Sequence, residues 1–252
     1  MFLRRFCMLM ELMELTLKLA GVPLGLRLHH SEYESIFRPF VCQEPPEAVL
    51  GLTAQELSLC RPHYPELPEE AYVEYMELCP RVCDALLPHD RAIFHSVAFL
   101  WQGRAWLLAG LSGAGKTTHF ALWKLLYGEA VTMLNGDKPI LDFSAPEGIQ
   151  VCPSPWMGKE LLRTMHSAPL GGIIFLRQGQ QNRMEPMAPG RAPELLFLQF
   201  LFTRSTPEQV HSVCRLEERL LREIPLWQLE NRGDGDAARL CHDTLAKELN
   251  LL

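Results

Sequence analysis

The chain has 252 residues, 48% of them hydrophobic and 21% charged, which is enough to bury a real core and argues against wholesale disorder. The formal net charge is -6 and the pI about 5.9, with no block of Lys and Arg, so neither nucleic acid nor an anionic membrane surface is an expected partner. The cysteines (Cys7, Cys42, Cys60, Cys79, Cys83, Cys152, Cys214 and Cys241) are scattered, as expected of reduced thiols in a cytosolic protein. Cys79 and Cys83 lie one helical turn apart, but no second pair completes a zinc site.

The first dozen residues are apolar with Arg4 and Arg5 near the start. Glu11, Glu14 and Lys18 interrupt the run, no small-residue cleavage site follows, and nothing approaches the roughly 20 residues of a spanning helix. We expect a loose extension there and a soluble, cytoplasmic chain. Leu15 to Leu28 reads as two short strands around Gly21-Val22-Pro23. Residues 37–59 are mixed, with Pro45 and Pro46 as breakers, and residues 59–68 carry three prolines and read as loop. Glu69 to Leu87 has helical spacing through Tyr72, Tyr75, Met76, Val82 and Leu86. Residues 1–88 therefore read as a small α+β cap, and 89–252 as a second domain.

From Ala92 the texture changes. Ala92 to Trp101 and Ala105 to Ala109, broken at Gly103, predict a hairpin of two strands. The second strand runs into a glycine-rich stretch, Gly110 to Thr118, and a helix follows to Tyr127, stopped by Gly128. Ala130 to Leu134 is a short strand ending in Asn135-Gly136-Asp137-Lys138. Ile140 to Phe143 and Gly148 to Cys152 predict a further hairpin, Leu170 to Leu176 a buried strand, and Leu226 to Leu229 another. Helices are predicted over 192–201, 207–224 and 236–249. The expected fold class is α/β: a mixed sheet with helices around it, under a small N-terminal cap.

Gly110 to Thr117 fits G-x-x-x-x-G-K-[ST] without a mismatch, and it lies between a strand and a helix as the pattern requires. Each residue type has a physical reason. Gly110, Gly113 and Gly115, with Ser112 and Ala114 between them, let the backbone curl so that successive N–H groups face phosphate oxygens. The helix opening at Lys116 adds unpaired N–H groups and a positive dipole end. Lys116 places a cation on the outer phosphates, the Thr117 hydroxyl is a hard oxygen ligand for Mg2+, and Thr118 continues the first turn. ATP with Mg2+ is the expected ligand. Asp137, at the end of the next strand, is positioned to bring a carboxylate beside the metal if that strand adjoins the loop helix in a parallel sheet. As three turn formers in a row, Asn135-Gly136-Asp137 also reads as a plain turn.

Several pieces in order carry a resemblance: Ile93-Phe94-His95-Ser96-Val97-Ala98, the Gly110 to Thr118 loop, Leu134-Asn135-Gly136-Asp137-Lys138-Pro139, and Pro153-Ser154-Pro155-Trp156. With the antiparallel hairpin before the loop, they resemble the HPr kinase/phosphorylase and ATP-dependent phosphoenolpyruvate carboxykinase superfamily. His119, Leu122 and Trp123 behind the loop, Ala168-Pro169-Leu170, Ile174-Phe175-Leu176, Asn182-Arg183 and Leu226-Trp227-Gln228-Leu229 are similar to bacterial HPr kinase-like proteins. The resemblance covers most of the chain, including Ala20-Gly21-Val22-Pro23-Leu24. It implies that Lys116 holds the β- and γ-phosphates, that Thr117 and Asp137 meet Mg2+, and that His95, otherwise a structural strand histidine, sits beside the active site. It also implies a phosphate-binding arginine among Arg163, Arg177 and Arg183, of which Arg183 is preferred. A homo-oligomer is compatible with it.

One departure matters. The family's acidic pair is Gly136-Asp137 here, or Asp137-Lys138 in the shifted register, so a single carboxylate remains. Either Asp137 serves as base and metal neighbour at once, or Asp142 or His95 takes one role, or transfer is lost. The HPr kinase signature downstream of the pair is not recognisable, so HPr is not the expected substrate. His119 and Trp123 read as structural and core residues. Ser154-Pro155-Trp156-Met157-Gly158-Lys159 reads equally as a substrate-receiving turn or a packed one. The leading expectation is a kinase moving phosphate from ATP to a hydroxyl of a small molecule, peptide or protein serine, through Asp137, Lys116, Mg2+ and an arginine. The rival is an ATP-binding sensor or accessory module without turnover. A carboxykinase is disfavoured by the length of the chain.

Overall fold

A computed structural model describes residues 12–66, 69–158 and 164–251. The first dozen residues (all but Leu12), Lys159 and Arg163 therefore lie outside the described residues. Two units divide the chain, Met1–Val82 and Cys83–Leu252.

The first unit holds β1 (Met13–Leu19), β2 (Val22–Leu28), α1 (Glu34–Phe37), β3 (Ala48–Gly51), α2 (Ala54–Cys60) and most of α3 (Glu70–Leu86). β1 and β2 form an antiparallel hairpin, and β3 adds to β2 in parallel. The turn sits at Ala20 and Gly21, both at positive φ, so Val22 and Pro23 belong to the second strand. Leu17, Leu19, Leu24 and Leu26 are buried to within 1% and give the hairpin its apolar face. α2 falls in the segment read as mixed and ends where the proline-rich stretch begins; Thr53 and Glu56 form a reciprocal capping box that starts it.

The second unit is mixed α/β. Its elements are β4 (Arg91–Ile93), β5 (Val97–Trp101), β6 (Arg104–Ala109), α4 (Lys116–Tyr127), β7 (Thr132–Asn135), β8 (Ile140–Asp142), β9 (Gln150–Cys152), β10 (Ala168–Gln178), β11 (Arg183–Pro186), α5 (Ala192–Phe197), α6 (Pro207–Glu223), β12 (Leu226–Asn231) and α7 (Gly235–Glu248). Among the described residues they build one nine-stranded sheet, with β4-β8-β9-β10-β6-β5-β7 as its main path and β12 then β11 branching from β10. β6, β10 and β12 are parallel neighbours, whereas β5 is antiparallel to both β6 and β7.

The core follows from strand alternation. Trp106 and Leu108, Ile174 and Leu176, and Trp227 and Leu229 point to one face. There they meet Phe120 and Trp123 of α4 and Ala238, Cys241 and Leu245 of α7. Gly172 is required by this packing, because a Cβ there would sit 2.4 Å from the Trp227 ring. Among the described residues no helix is long and apolar enough to cross a membrane.

The structure corrects several expectations. The apolar run from Ala92 to Trp101 is two strands: β4 ends at Ile93, and residues 94–96 are bonded to other loops before β5 begins. The helix expected over 192–201 stops at Phe197, because residues 199–201 leave to bond β4 and residue 95. β11 was not expected: its four residues, Arg183 to Pro186, are exposed or half-buried and too few to show an apolar period. β7 does not adjoin β6; the hairpin strand β5 lies between them.

Candidate functional site

The glycine-rich loop leaves the carboxyl end of β6. Gly110 has φ 134°, and a Cβ on it would lie 2.7 Å from the Leu176 carbonyl oxygen of β10, so only glycine fits. Gly113 and Gly115 also take positive φ. The curl is held by the Ala114 N–H, which donates to the Leu111 carbonyl at 3.1 Å, and by Gln178 Nε2 of β10, which donates to the Gly113 carbonyl at 2.9 Å. α4 starts at Gly115 with no side-chain cap, so its first-turn donors face outward with the positive end of the helix. Ser112, Gly113, Thr117 and Thr118 are exposed, and Ala114, Gly115 and Lys116 half-buried. Lys116 Nζ folds back over the loop, donating to the carbonyls of Gly110 at 3.0 Å and Leu111 at 3.2 Å. Burial pushes its pKa down; the nearby Asp137 carboxylate opposes that, and Lys138 adds to it.

The second half of the site is the turn after β7. Asn135 is fully buried at the strand end. Its Oδ1 accepts the backbone N–H groups of Asp137 at 3.0 Å and Lys138 at 2.9 Å, and its Nδ2 donates to the Ser154 carbonyl and Oγ at 3.1 and 3.2 Å. Ser154 Oγ in turn donates to the Lys138 carbonyl at 2.5 Å and accepts the Trp156 N–H at 3.1 Å. The Lys138 N–H also reaches the Trp156 carbonyl at 3.1 Å. Two buried polar side chains thus weld the Asp137 turn to residues 154–156.

The Asp137 carboxylate is held between Lys138 and His95. Lys138 Nζ forms an ion pair with Oδ2, and His95 Nε2 lies 3.4 Å from Oδ1. Burial opposes ionisation, but the contacts from His95 and Lys138 prevail and hold the carboxyl down to about 2. His95 reaches this place because its neighbours are tied on both sides: the Ser96 N–H donates to the Asp137 carbonyl at 2.9 Å and its own N–H to the Gln199 carbonyl at 2.8 Å. The loop, Lys116, Asp137, Lys138 and His95 therefore gather around the carboxyl ends of β6 and β7, where α/β sheets place ligands.

Other predicted residues lie elsewhere. Arg183 is on the β11 edge, 70% exposed, paired with Glu185 at 2.7 Å. Arg177 is nearer the loop, next to Gln178, but is ion-paired with Glu230. Asp142 faces Arg91 at 3.5 Å and caps the turn at Ser144, so it takes no share of the Asp137 role. His119 is buried, with Nε2 accepting from Trp123 Nε1 at 3.3 Å. Trp156 is 1% exposed and packed, which fits a structural turn. Cys79 and Cys83 are buried, and Cys83 Sγ accepts the Ile93 N–H at 3.2 Å. Asn135, Ser154 and the cationic role of Lys138 are the parts that the sequence reading had not assigned. Asn135 carried a signal: a polar residue continuing the buried run Met133-Leu134.

Among the described residues no three His, Cys, Asp or Glu side chains converge as a metal group. Magnesium that accompanies a nucleotide needs only one or two protein oxygens beside phosphate and water. The exposed Thr117 hydroxyl in the first turn of α4 fits that role. The Asp137 carboxylate fits it less well, because one oxygen is paired with Lys138 Nζ and the other faces His95 Nε2. No protein-family model matches the chain, and no curated protein matches it.

Proposed function

We propose that the Gly110 to Thr118 loop is a P-loop of the HPr kinase and phosphoenolpyruvate carboxykinase type, that it binds ATP, and that the protein transfers the terminal phosphate to a hydroxyl. The acceptor would be a small molecule or a peptide or protein serine. The observation that carries this reading is that the loop with Lys116 and the turn with Asp137 lie at the same end of the sheet, at the carboxyl ends of β6 and β7 on either side of β5.

In this reading the loop N–H groups and the first turn of α4 take the phosphates, and Lys116 swings from its carbonyl contacts to the outer ones. Thr117 would hold Mg2+ together with phosphate oxygens, and the ion would neutralise charge on them. Asp137, fixed through Asn135, accepts the hydrogen bond of the incoming hydroxyl and orients it. With its acidity held near 2 it is a weak base at neutral pH, so its part is alignment more than proton removal. Phosphoryl transfer through a loose transition state needs mostly positioning and electrostatic support, which this constellation supplies.

The Lys138–Asp137 ion pair favours a second reading, an ATP-binding module without turnover, since it occupies the Asp137 carboxylate at the site's centre. One experiment separates them: thermal melting with and without Mg-ATP, with released ADP measured in the same samples. Ligand at a hundred times its dissociation constant adds about 2.7 kcal/mol, or roughly 5–10 °C. A shift lost in Lys116→Ala together with ADP release lost in Asp137→Asn supports the kinase. A shift without ADP, across a panel of hydroxyl acceptors, supports the module. Absence of any shift refutes both.

A further inference from the structure

The ion pair at the centre of the site raises a question of charge. A carboxylate beside a P-loop ordinarily meets a divalent cation. Here Asp137 Oδ2 is taken by Lys138 Nζ and Oδ1 faces His95 Nε2 at 3.4 Å. Lys138 is not a loose surface lysine: its side chain is 12% exposed. Its backbone is fixed at both ends of the residue, the N–H by Asn135 Oδ1 and the Trp156 carbonyl, the carbonyl by Ser154 Oγ. Drawing the ammonium away to admit a metal would strand a half-buried charge. Lys138 also lies close enough to Lys116 for its charge to act there. Two ammonium groups and one carboxylate leave a net positive centre at the mouth of the loop, which suits a polyphosphate directly.

We propose that Lys138 takes the place of a divalent cation at Asp137, so that the site binds ATP almost independently of magnesium, with Lys116 and Lys138 together carrying the phosphate charge. This rests on the nucleotide-binding reading above and deepens it: magnesium, when present, sits on the phosphates and Thr117 and contributes little to affinity.

The test is calorimetric titration of the full chain with ATP, in excess Mg2+ and in EDTA at matched ionic strength, for wild type, Lys116→Ala and Lys138→Met. Expected for wild type are dissociation constants within about threefold of each other in the two buffers. Lys138→Met should weaken binding in EDTA by about tenfold or more, the value of one lost charge-assisted contact, with magnesium restoring most of it. Should Lys138→Met fail to fold, Lys138→Gln keeps a donor toward Asp137 without the charge and serves the same purpose. Binding that is at least about thirtyfold weaker in EDTA for wild type overturns the inference and leaves the nucleotide reading intact, since more than 2 kcal/mol would then come from the metal. Equal losses, or none, for Lys138→Met in both buffers overturn the role of Lys138. No binding in either buffer, with Lys116→Ala indistinguishable from wild type, overturns the nucleotide reading itself.

Discussion

Replacing Asn135 with leucine tests the weld that fixes Asp137. The two side chains are close in volume, so the main loss is polar. The Asp137 N–H and the Ser154 carbonyl lose the partners Asn135 provides, whereas the Lys138 N–H keeps the Trp156 carbonyl and Ser154 Oγ keeps the Lys138 carbonyl. Each buried group left without a partner costs about 1–3 kcal/mol, which sums to roughly 2–6 kcal/mol. For a chain of this size that is a fall in melting temperature of roughly 5–20 °C. Asn135→Asp keeps both accepted N–H bonds but loses the donations to Ser154 and places a second carboxylate beside Asp137. It should also be destabilised, and recover as the pH falls toward 4. The assay is thermal melting across pH with amide exchange followed at residues 135–138. If Asn135→Leu melts within about 2 °C of wild type with unchanged exchange, the turn is not held by Asn135 and the argument for a fixed Asp137 falls.

Gly110→Ala forces a Cβ to within 2.7 Å of the Leu176 carbonyl at a φ of 134°, so it should cost roughly 2–4 kcal/mol and abolish the ATP-dependent melting shift; a wild-type shift would show that the loop is not the ligand site. Burial pushes the His119 pKa from 6.5 down to about 4, so the folded ring stays neutral while the unfolded one takes a proton. Stability from this group is present above pH 6.5 and is lost, by about 3 kcal/mol, as the pH falls to 4; His119→Phe should flatten that part of the stability curve, and parallel curves would contradict it. Arg183→Ala should change stability by no more than about 0.5 kcal/mol and leave ATP affinity unaltered, because the guanidinium is exposed and engaged with Glu185; a tenfold weaker affinity by titration would restore it to the site.

Much of the fold was legible because apolar period and turn chemistry agree. The glycine at 128 stops α4, Gly110 must approach β10, and β6 and β10 are apolar runs bounded by turn residues. The loop was legible for the same reason: its glycines are a backbone requirement, and a backbone requirement shows in sequence. What escaped has a common physical cause. The division of β4 from β5 depends on the partners of residues 94–96, which come from 137, 139 and 199, and nothing local in Phe94-His95-Ser96 encodes them. β11 is held by pairing with β12 and buries too little to show a period. At the site itself, local sequence points to Asp137 and distant contacts decide what it can do. The Asn135–Ser154 bonds fix its direction, and His95, forty-two positions before it (137 minus 95), shares with Lys138 the task of keeping it ionised. The missing first carboxylate, read from sequence as a loss at Gly136, has a counterpart in the structure: where a second negative charge would draw in a metal, a lysine on the other side of Asp137 supplies the positive charge from within the chain. On the proposed reading, that exchange would make magnesium dependence the property that distinguishes this site from a P-loop with two carboxylates.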